Sequence, residues 1–268
     1  MTLHVWERTD TAAGAPGRRR ALWGVVVVVV LALVVAAVVV GIRRNAHQGQ
    51  ALDPQNPGRE GAQAVASVLR DRGVDVAVAR GQDDLLDTSV GAGTTVLVTD
   101  TGELSDETAA TMLEHAAGAD RLVLVTPNRF LLTALELPVD TGGQPSAPEA
   151  VTAGCTLGGL SEGDRVVPGP RTYVATEPGA TTCFAHDRSF ELVALPATGD
   201  RPEVVVLGNT DLLVNSEITQ LDHAGVALRL LGRGDRVVWY LPSALDIGNE
   251  DTTATSEVPR ALGPLVFL

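Results

Sequence analysis

The sequence predicts an α/β protein, with a parallel sheet covered by helices on both faces, that one helix holds in a membrane. Three observations predict this class. Residues 21–42 contain no charged side chain. Between residues 58 and 241, segments with the apolar spacing of helices alternate with segments typical of strands. Segments such as residues 94–99 are apolar at the consecutive positions 96–98, as expected for strands buried on both faces.

The uncharged segment is long enough to cross a bilayer. At about 1.5 Å per residue, a helix over residues 21–42 spans the roughly 30 Å hydrocarbon core. It is longer than the apolar region of a signal peptide, which indicates an uncleaved anchor. Four arginines precede it and two follow it, which favours a cytoplasmic N-terminus. We therefore expect a cytoplasmic tail over residues 1–20, single-pass insertion in the plasma membrane, and an extracytoplasmic main domain.

The charge balance changes sign after this segment. The chain carries +4 through Arg44 and −17 beyond it, within a total of −13. So acidic a domain is repelled by phosphate backbones, which argues against nucleic-acid binding. The bilayer, contacted through residues 21–42, is the partner that the sequence itself predicts.

Residues 43–57 are predicted to be a linker, because Pro54 and Pro57 break regular structure. The α/β domain is expected over residues 58–246. Its first half consists of a helix over residues 58–72, a strand over 74–79, a short helix over 82–88 and a strand over 94–99. Ser105 is expected to cap the next helix, since Asp106 and Glu107 follow it in the first turn.

The second half continues with a strand over residues 122–126 and a helix over 128–135. A strand over 203–208, a helix over 218–231 and a strand over 236–241 close the domain. Between these halves, residues 138–200 are predicted to form a β-rich insertion. Its strands are expected over 171–176, 181–185 and 190–195, with a type II turn at residues 177–180.

The two cysteines, Cys155 and Cys183, both lie in the insertion. In an oxidising compartment a disulfide is the expected outcome, closing a loop of about 28 residues. The alternative is that Cys155 is a nucleophile. Its surroundings, Ala153-Gly154-Cys155-Thr156-Leu157, lack the G-x-C-x-G pattern and follow no predicted strand.

No motif for metal binding, cofactor binding or catalysis is present. The five histidines form neither H-x-x-x-H nor H-E-x-x-H, and there is no phosphate-binding glycine motif. His186, Asp187 and Ser189 have the residue types of a catalytic triad. Because a triad is a spatial arrangement, a solvated turn is the preferred interpretation.

Polar residues follow several predicted strands, where open α/β sheets bind ligands. We predict that the ligand-facing side chains are those of Asp100, Thr101, Thr126, Asn128, Asn209, Thr210, Asp211 and Asn215. The alternative is that they cap strands and helices. In particular, Asn215 could cap a helix that starts near Ser216.

The segment Val125-Thr126-Pro127-Asn128 occupies the strand-to-helix junction that carries the nucleophile in many α/β hydrolases and amidotransferases. Pro127 has no N–H to offer an oxyanion, and it should push Thr126 toward an extended conformation. No His or Lys lies nearby in sequence to act as a base. We therefore predict that the junction is not catalytic.

Several segments together resemble an uncharacterised actinobacterial membrane-protein family with a class I glutamine-amidotransferase-like outer domain. They are LDPQNPGREGAQAVASVLRDRGVDV (residues 52–76), LGNTDLLVNSEIT (207–219), AGVALRLLG (224–232) and RVVWYLPSALD (236–246). The resemblance implies a flavodoxin-like domain that lacks the amidotransferase Cys-His-Glu set. It also implies genomic neighbours that include a MoxR-type AAA+ ATPase and a von Willebrand-like partner. Residues 247–268 either lead toward a second membrane helix, as the resemblance implies, or the protein keeps one anchor.

These observations leave three hypotheses for function. The first is a non-enzymatic, membrane-anchored binding or assembly module of an envelope complex, without a cofactor. The second is a hydrolase or transferase with an unrecognised site at the strand ends. The third is a structural envelope scaffold, which predicts no pocket there.

Overall fold

The structure, a computed structural model, describes residues 29–31, 49–143, 145, 150–243 and 246. The chain divides into two compact units, Met1–His47 and Gln48–Leu268. In the first unit, the described residues 29–31 are helical and exposed. No helix within the described part of the chain is long and apolar enough to cross a membrane. The rest of the predicted membrane helix over residues 21–42, and the segment over 247–268, lie outside the described residues.

The second unit is an α/β domain, as the sequence predicts. Its described helices are α1 (Gln63–Asp71), α2 (Gln82–Asp87), α3 (Asp106–His115), α4 (Arg129–Ala134) and α5 (His223–Leu231). Its described strands are β1 (Asp75–Arg80), β2 (Thr94–Val98), β3 (Arg121–Val125), β4 (Val139–Thr141), β5 (Val151–Thr152), β6 (Arg165–Val166), β7 (Tyr173–Ala175), β8 (Thr181–His186), β9 (Ser189–Leu195), β10 (Glu203–Leu207) and β11 (Arg236–Leu241).

Five parallel strands form one half of the main sheet, in the order β1-β11-β2-β3-β10. Counted along the chain, this order is first, fifth, second, third, fourth. A flavodoxin has the order second, first, third, fourth, fifth. The spatial order matches that of a flavodoxin only if β11 is counted as the first strand. Because β11 is the last strand along the chain, the connections between strands differ from the flavodoxin-like fold that the resemblance implies.

Four strands of the predicted insertion, β4, β7, β8 and β9, belong to the same sheet. Strand β9 runs antiparallel to β10 along residues 192–195, and β7 and β4 continue the sheet beyond β9. Strand β8 also pairs with β9, and a small second sheet joins β5 to β6. The sheet is therefore mixed, where the sequence predicted a parallel sheet with an appended meander. Antiparallel neighbours such as β8 and β9 need only a short turn between them. The sheet can therefore continue beyond β10 without a crossover helix.

Helices cover both faces of the sheet, which confirms that prediction. Helices α1 and α5 pack on one face, and α2, α3 and α4 pack on the other. Successive strand residues alternate between the two cores: Leu97 points to the first, and Val96 and Val98 to the second. This two-sided burial explains why β2 is apolar at consecutive positions.

The cysteines form the predicted disulfide. Cys155 and Cys183 are bonded, with their Cα atoms 5.4 Å apart, and both are buried. The bond ties the segment after β5 to β8 in the core beneath α1 and α5. This arrangement excludes Cys155 as a free nucleophile. Gly179 has φ 101°, as the third residue of the predicted type II turn requires.

Helix α5 begins later than its apolar spacing predicts. The helix was expected from residue 218, but it starts at His223. Leu221 has φ 42°, a left-handed conformation that cannot continue a right-handed helix. The residues before it form successive turns, in which Ile218 N donates to Val214 O and His223 N donates to Gln220 O.

Candidate functional site at the carboxyl edge

The carboxyl edge is defined here as the segments that follow β2, β3 and β10: residues 99–101, 126–128 and 208–211. The three strands are neighbours in the sheet. Thr126 N donates to Leu207 O at 2.7 Å, which continues the β3–β10 pairing to the end of both strands. The topology therefore brings the predicted strand-end residues to one edge, as expected for a parallel sheet.

After β2, the two predicted residues have different environments. Asp100 is exposed, whereas Thr101 is buried. The Thr101 hydroxyl donates to Val125 O at 3.2 Å. Thr101 therefore links the end of β2 to the end of β3.

Thr126 has a left-handed backbone, with φ 47°. The extended conformation predicted from Pro127 is wrong. A β-branched side chain at positive φ is strained, and such residues persist only where the surroundings fix them. Here the surroundings include the Thr126–Leu207 bond and Tyr173, whose buried hydroxyl donates to Pro127 O at 2.9 Å. Burial raises the pKa of Tyr173, so this hydroxyl keeps its proton.

The junction thus has a sharp, strained turn between a strand and a helix, as a nucleophile elbow has. Its side chain is a threonine, and the next residue has no N–H. Among the described residues, no hydrogen bond joins the Thr126 hydroxyl to a histidine.

Asn128 caps helix α4. Its Oδ1 accepts from Leu131 N at 2.9 Å, and its backbone is extended (φ −82°, ψ 169°). This is the usual function of asparagine before a helix. Phe130 lies in the first turn of α4, and 73% of its surface is exposed. The Arg129 guanidinium lies 5.7 Å from the centroid of its ring.

Asn209 is buried and all of its described polar contacts are internal. Its Nδ2 donates to Glu191 Oε2 and to Val167 O, each at 2.8 Å. Its Oδ1 accepts from Asp211 N at 3.0 Å. Gly169 lies so close that a Cβ there would be 2.5 Å from Asn209 Cα. Asn209 therefore fixes the loop over residues 167–170 against the end of β10.

Glu191 and His186 are functional candidates that the sequence reasoning missed. Glu191 is buried in β9, and its Oε1 is 2.6 Å from His186 Nε2. Burial raises the pKa of the Glu191 carboxyl, and the bonds from His186, Gly169 N and Asn209 oppose that rise. The available signal was an acid inside the apolar strand Phe190-Glu191-Leu192. His186 was predicted to lie in a solvated turn, but only 7% of its side chain is exposed.

A second histidine, His223, holds the same loop and was also missed. It is fully buried at the start of α5. Its Nε2 lies 2.9 Å from Val167 N, which can only donate, so Nε2 is unprotonated. Its Nδ1 lies 3.2 Å from Asp211 O and donates to it. The contacts of this imidazole therefore require its neutral form.

Thr210 and Asp211 lie beside this loop, half-buried. The Thr210 hydroxyl is 3.5 Å from Asp211 Oδ1. Burial and the nearby Glu217 charge raise the pKa of Asp211, and the hydrogen bond from Thr210 opposes the rise.

Asn215 does not cap the helix that follows it. Its Oδ1 accepts from Ala64 N at 2.9 Å, and so caps α1, which is far away in sequence. Its Nδ2 donates to Asn56 O at 3.0 Å and Gly58 O at 2.7 Å. Helix α1 needs this contact because its own N-cap residue, Ala62, has no side-chain hydrogen bond.

Asp246 fixes the segment that follows β11, the neighbour of β2 in the sheet. Its Oδ2 accepts from the Tyr240 hydroxyl at 3.1 Å and from Ser243 N at 2.8 Å, and its Oδ1 accepts from Gln82 N at 3.0 Å. Burial, and then the Asp246 charge, raise the pKa of Tyr240. Among the described residues, no group of three or more His, Cys, Asp or Glu is placed to hold a metal ion.

The fold and this edge define an α/β domain with a mixed sheet, in which four of the eight predicted strand-end side chains, those of Thr101, Asn128, Asn209 and Asn215, bind the protein's own backbone. The chain belongs to the family described as Domain of unknown function (DUF4350), whose model matches residues 54–231. It is 29% identical over 202 residues to the uncharacterized membrane protein Rv3691 of Mycobacterium tuberculosis. That match covers 74% of this chain and 50% of the relative, so the chain spans about half of the relative's length.

Proposed function

We propose that the chain is a membrane-anchored, extracytoplasmic binding or assembly module of an envelope complex, with an amidotransferase-like domain that is not catalytic. The anchor is supported by the uncharged residues 21–42 and by the relative, which is named a membrane protein. The MoxR-type ATPase system implied by the resemblance is the proposed partner system. A reporter fused after Gln50 tests the topology: an extracytoplasmic signal is expected, and a cytoplasmic signal contradicts it.

The observation that carries the binding function is Phe130. It lies in the first turn of α4, two residues after the carboxyl edge, is 73% exposed, and has the Arg129 guanidinium 5.7 Å from its ring centroid. Aromatic and arginine side chains dominate the binding energy of protein interfaces. Because the chain beyond Arg44 carries −17, the fitting partner is a protein with an apolar pocket bordered by basic residues.

Site-specific photo-crosslinking tests this proposal. A photoreactive residue at position 130 of the full chain, in native membranes, should give one discrete cross-linked protein. The matched control is position 68 on α1, where Val68 is an exposed apolar residue (37%) on the other face of the sheet. Equal cross-linking at both positions, or none at position 130, contradicts the proposal.

The absence of catalysis is proposed from the side chains at the β3–α4 junction. The turn is strained, but Thr126 replaces a thiol or an activated serine, and Pro127 cannot donate to an oxyanion. Full-length protein should therefore show no amidase, esterase or glutaminase turnover that Thr126→Ala removes. Turnover that this variant abolishes, with folding preserved, would support the hydrolase hypothesis instead.

A further inference from the structure

A depression of about 310 Å³ lies at the tip of the β8–β9 hairpin. Its walls are the hairpin residues 186–189, with Gly142, Gly143 and Val174 opposite. We call it the hairpin depression. None of its residues belongs to the predicted ligand-facing set, and it does not include Phe130.

His186 gives this depression a fixed, buried polar group. Its Nε2 is 2.6 Å from Glu191 Oε1, and Glu191 is itself held by Asn209 Nδ2 at 2.8 Å. These contacts fix the ring, whose side chain is 93% buried. Among the described residues, Nδ1 of His186 has no hydrogen-bond partner, so one nitrogen of a wall residue remains available.

The neighbouring side chains supply a charge and a hydroxyl. Arg188 is exposed and forms no ion pair with any described residue. The Ser189 hydroxyl donates to His186 O at 3.2 Å. The opposite wall is backbone at close range, since a Cβ at Gly142 would be 2.8 Å from Ser189 Cβ. Only a glycine fits at position 142 without a shift of Ser189 or Thr172.

We propose that the hairpin depression binds a small oxyanion, a carboxylate or phosphate group, between His186 and Arg188. When the His186–Glu191 pair holds two protons, one lies between the two side chains and the other is on Nδ1. Nδ1–H and the guanidinium then both donate to the anion, in charge-assisted hydrogen bonds. Asp187, in the same wall, disfavours a multiply charged ligand close to it. This site is independent of partner binding at Phe130.

Calorimetric titration of the full chain in detergent micelles, at constant ionic strength, tests the site. The probes are sodium acetate and inorganic phosphate, and which of them binds identifies the anion class. Saturable binding of at least one is expected. Arg188→Gln should weaken it by about tenfold, as should His186→Gln, whose amide can still donate to Glu191.

Arg70→Gln is the matched control, because Arg70 is an exposed arginine on α1. It should leave the affinity unchanged. Equal weakening by Arg70→Gln would show that only general charge acts, and would overturn the proposal. It is also overturned if neither anion binds saturably, or if calcium binds and the anions do not.

Discussion

Thr126 shows how one residue can have the backbone of a catalytic turn without its chemistry. Its φ of 47° places a β-branched side chain in the left-handed region. The bond from Thr126 N to Leu207 O and the contact of Tyr173 with Pro127 O maintain this conformation. The local preference of a residue before proline is therefore overruled by contacts from β10 and β7.

Replacing Thr126 with glycine should relieve this strain. Such strain is of order 1–3 kcal/mol, and glycine loses about 0.5–1 kcal/mol through the greater freedom of the unfolded chain. Thr126→Gly should therefore raise the free energy of unfolding by about 1 kcal/mol in denaturant titrations. Thr133→Gly, an exposed helical position in α4, should instead lower it by roughly 0.3 kcal/mol. A lower free energy of unfolding in Thr126→Gly would contradict the conclusion that the Thr126 backbone is strained.

Asn209 and Asn128 separate two functions of asparagine at the carboxyl edge. Asn209→Ala removes the donor that Asn209 gives to Glu191 Oε2 and to Val167 O in a buried place, so a loss of about 2–3 kcal/mol is expected. Asn128→Ala removes a helix cap and should cost about 1 kcal/mol. Chemical denaturation of both variants measures the difference; equal losses would mean that the Asn209 network contributes nothing beyond a cap.

At the scale of the element, α1 depends on a residue from another part of the chain. Asn215 supplies its cap and also holds the carbonyls of Asn56 and Gly58. The segment before α1 is further fixed by Trp239 Nε1, which donates to Leu52 O at 3.1 Å. The buried Asp53 carboxylate, 2.7 Å from Arg80, acts in the same way. Helix α1 is therefore docked at both its start and its buried face.

Asn215→Ala should loosen the start of α1 specifically. The loss of the cap and of two further hydrogen bonds should lower stability by about 1–2 kcal/mol. Amide hydrogen exchange at Ala64 should accelerate, because this N–H loses its acceptor. Gln63→Ala, at an exposed neighbouring position, should change neither quantity. Unchanged exchange at Ala64 in Asn215→Ala would show that the cap is not formed in solution.

At the scale of the whole molecule, stability should depend on pH through two carboxyls. Burial raises the pKa of both Glu191 and Asp211 in the folded state. Between the unfolded pKa values, about 4.3 and 3.9, and the higher folded ones, the folded protein binds more protons than the unfolded chain. The free energy of unfolding therefore falls as pH rises through this window.

Glu191→Gln should reduce the fall in the free energy of unfolding as pH rises. Glutamine cannot ionise, its oxygen still accepts from Asn209, and its amide can donate to His186 Nε2. Denaturant titrations of the full chain between pH 4 and 7 measure the slope. The control is Asp83→Asn, an exposed acid in α2, which should leave the slope unchanged. The same slope in Glu191→Gln and the native chain would rule out Glu191 as the group responsible.

The sequence by itself determined the features that rest on local patterns. Strands β2, β3, β10 and β11 lie within one residue of their predicted bounds, because burial on both faces makes them apolar at consecutive positions. The cap Ser105 was evident because a cap binds within three residues of itself, whereas Asn128 was predicted to face a ligand and caps α4 instead. The disulfide followed from there being only two cysteines.

Only the tertiary structure decided the features that depend on distant partners. It placed strands of the insertion within the main sheet, gave Asn215 to α1, paired His186 with Glu191, and turned Thr126 left-handed. Each of these features depends on residues that are far apart in sequence, so the spacing within one helix or strand does not reveal it. The periodicity of a segment reports which of its faces is buried, but not which other segment covers that face or accepts its hydrogen bonds. The candidate site, which is built from such partners, therefore emerged only from the fold.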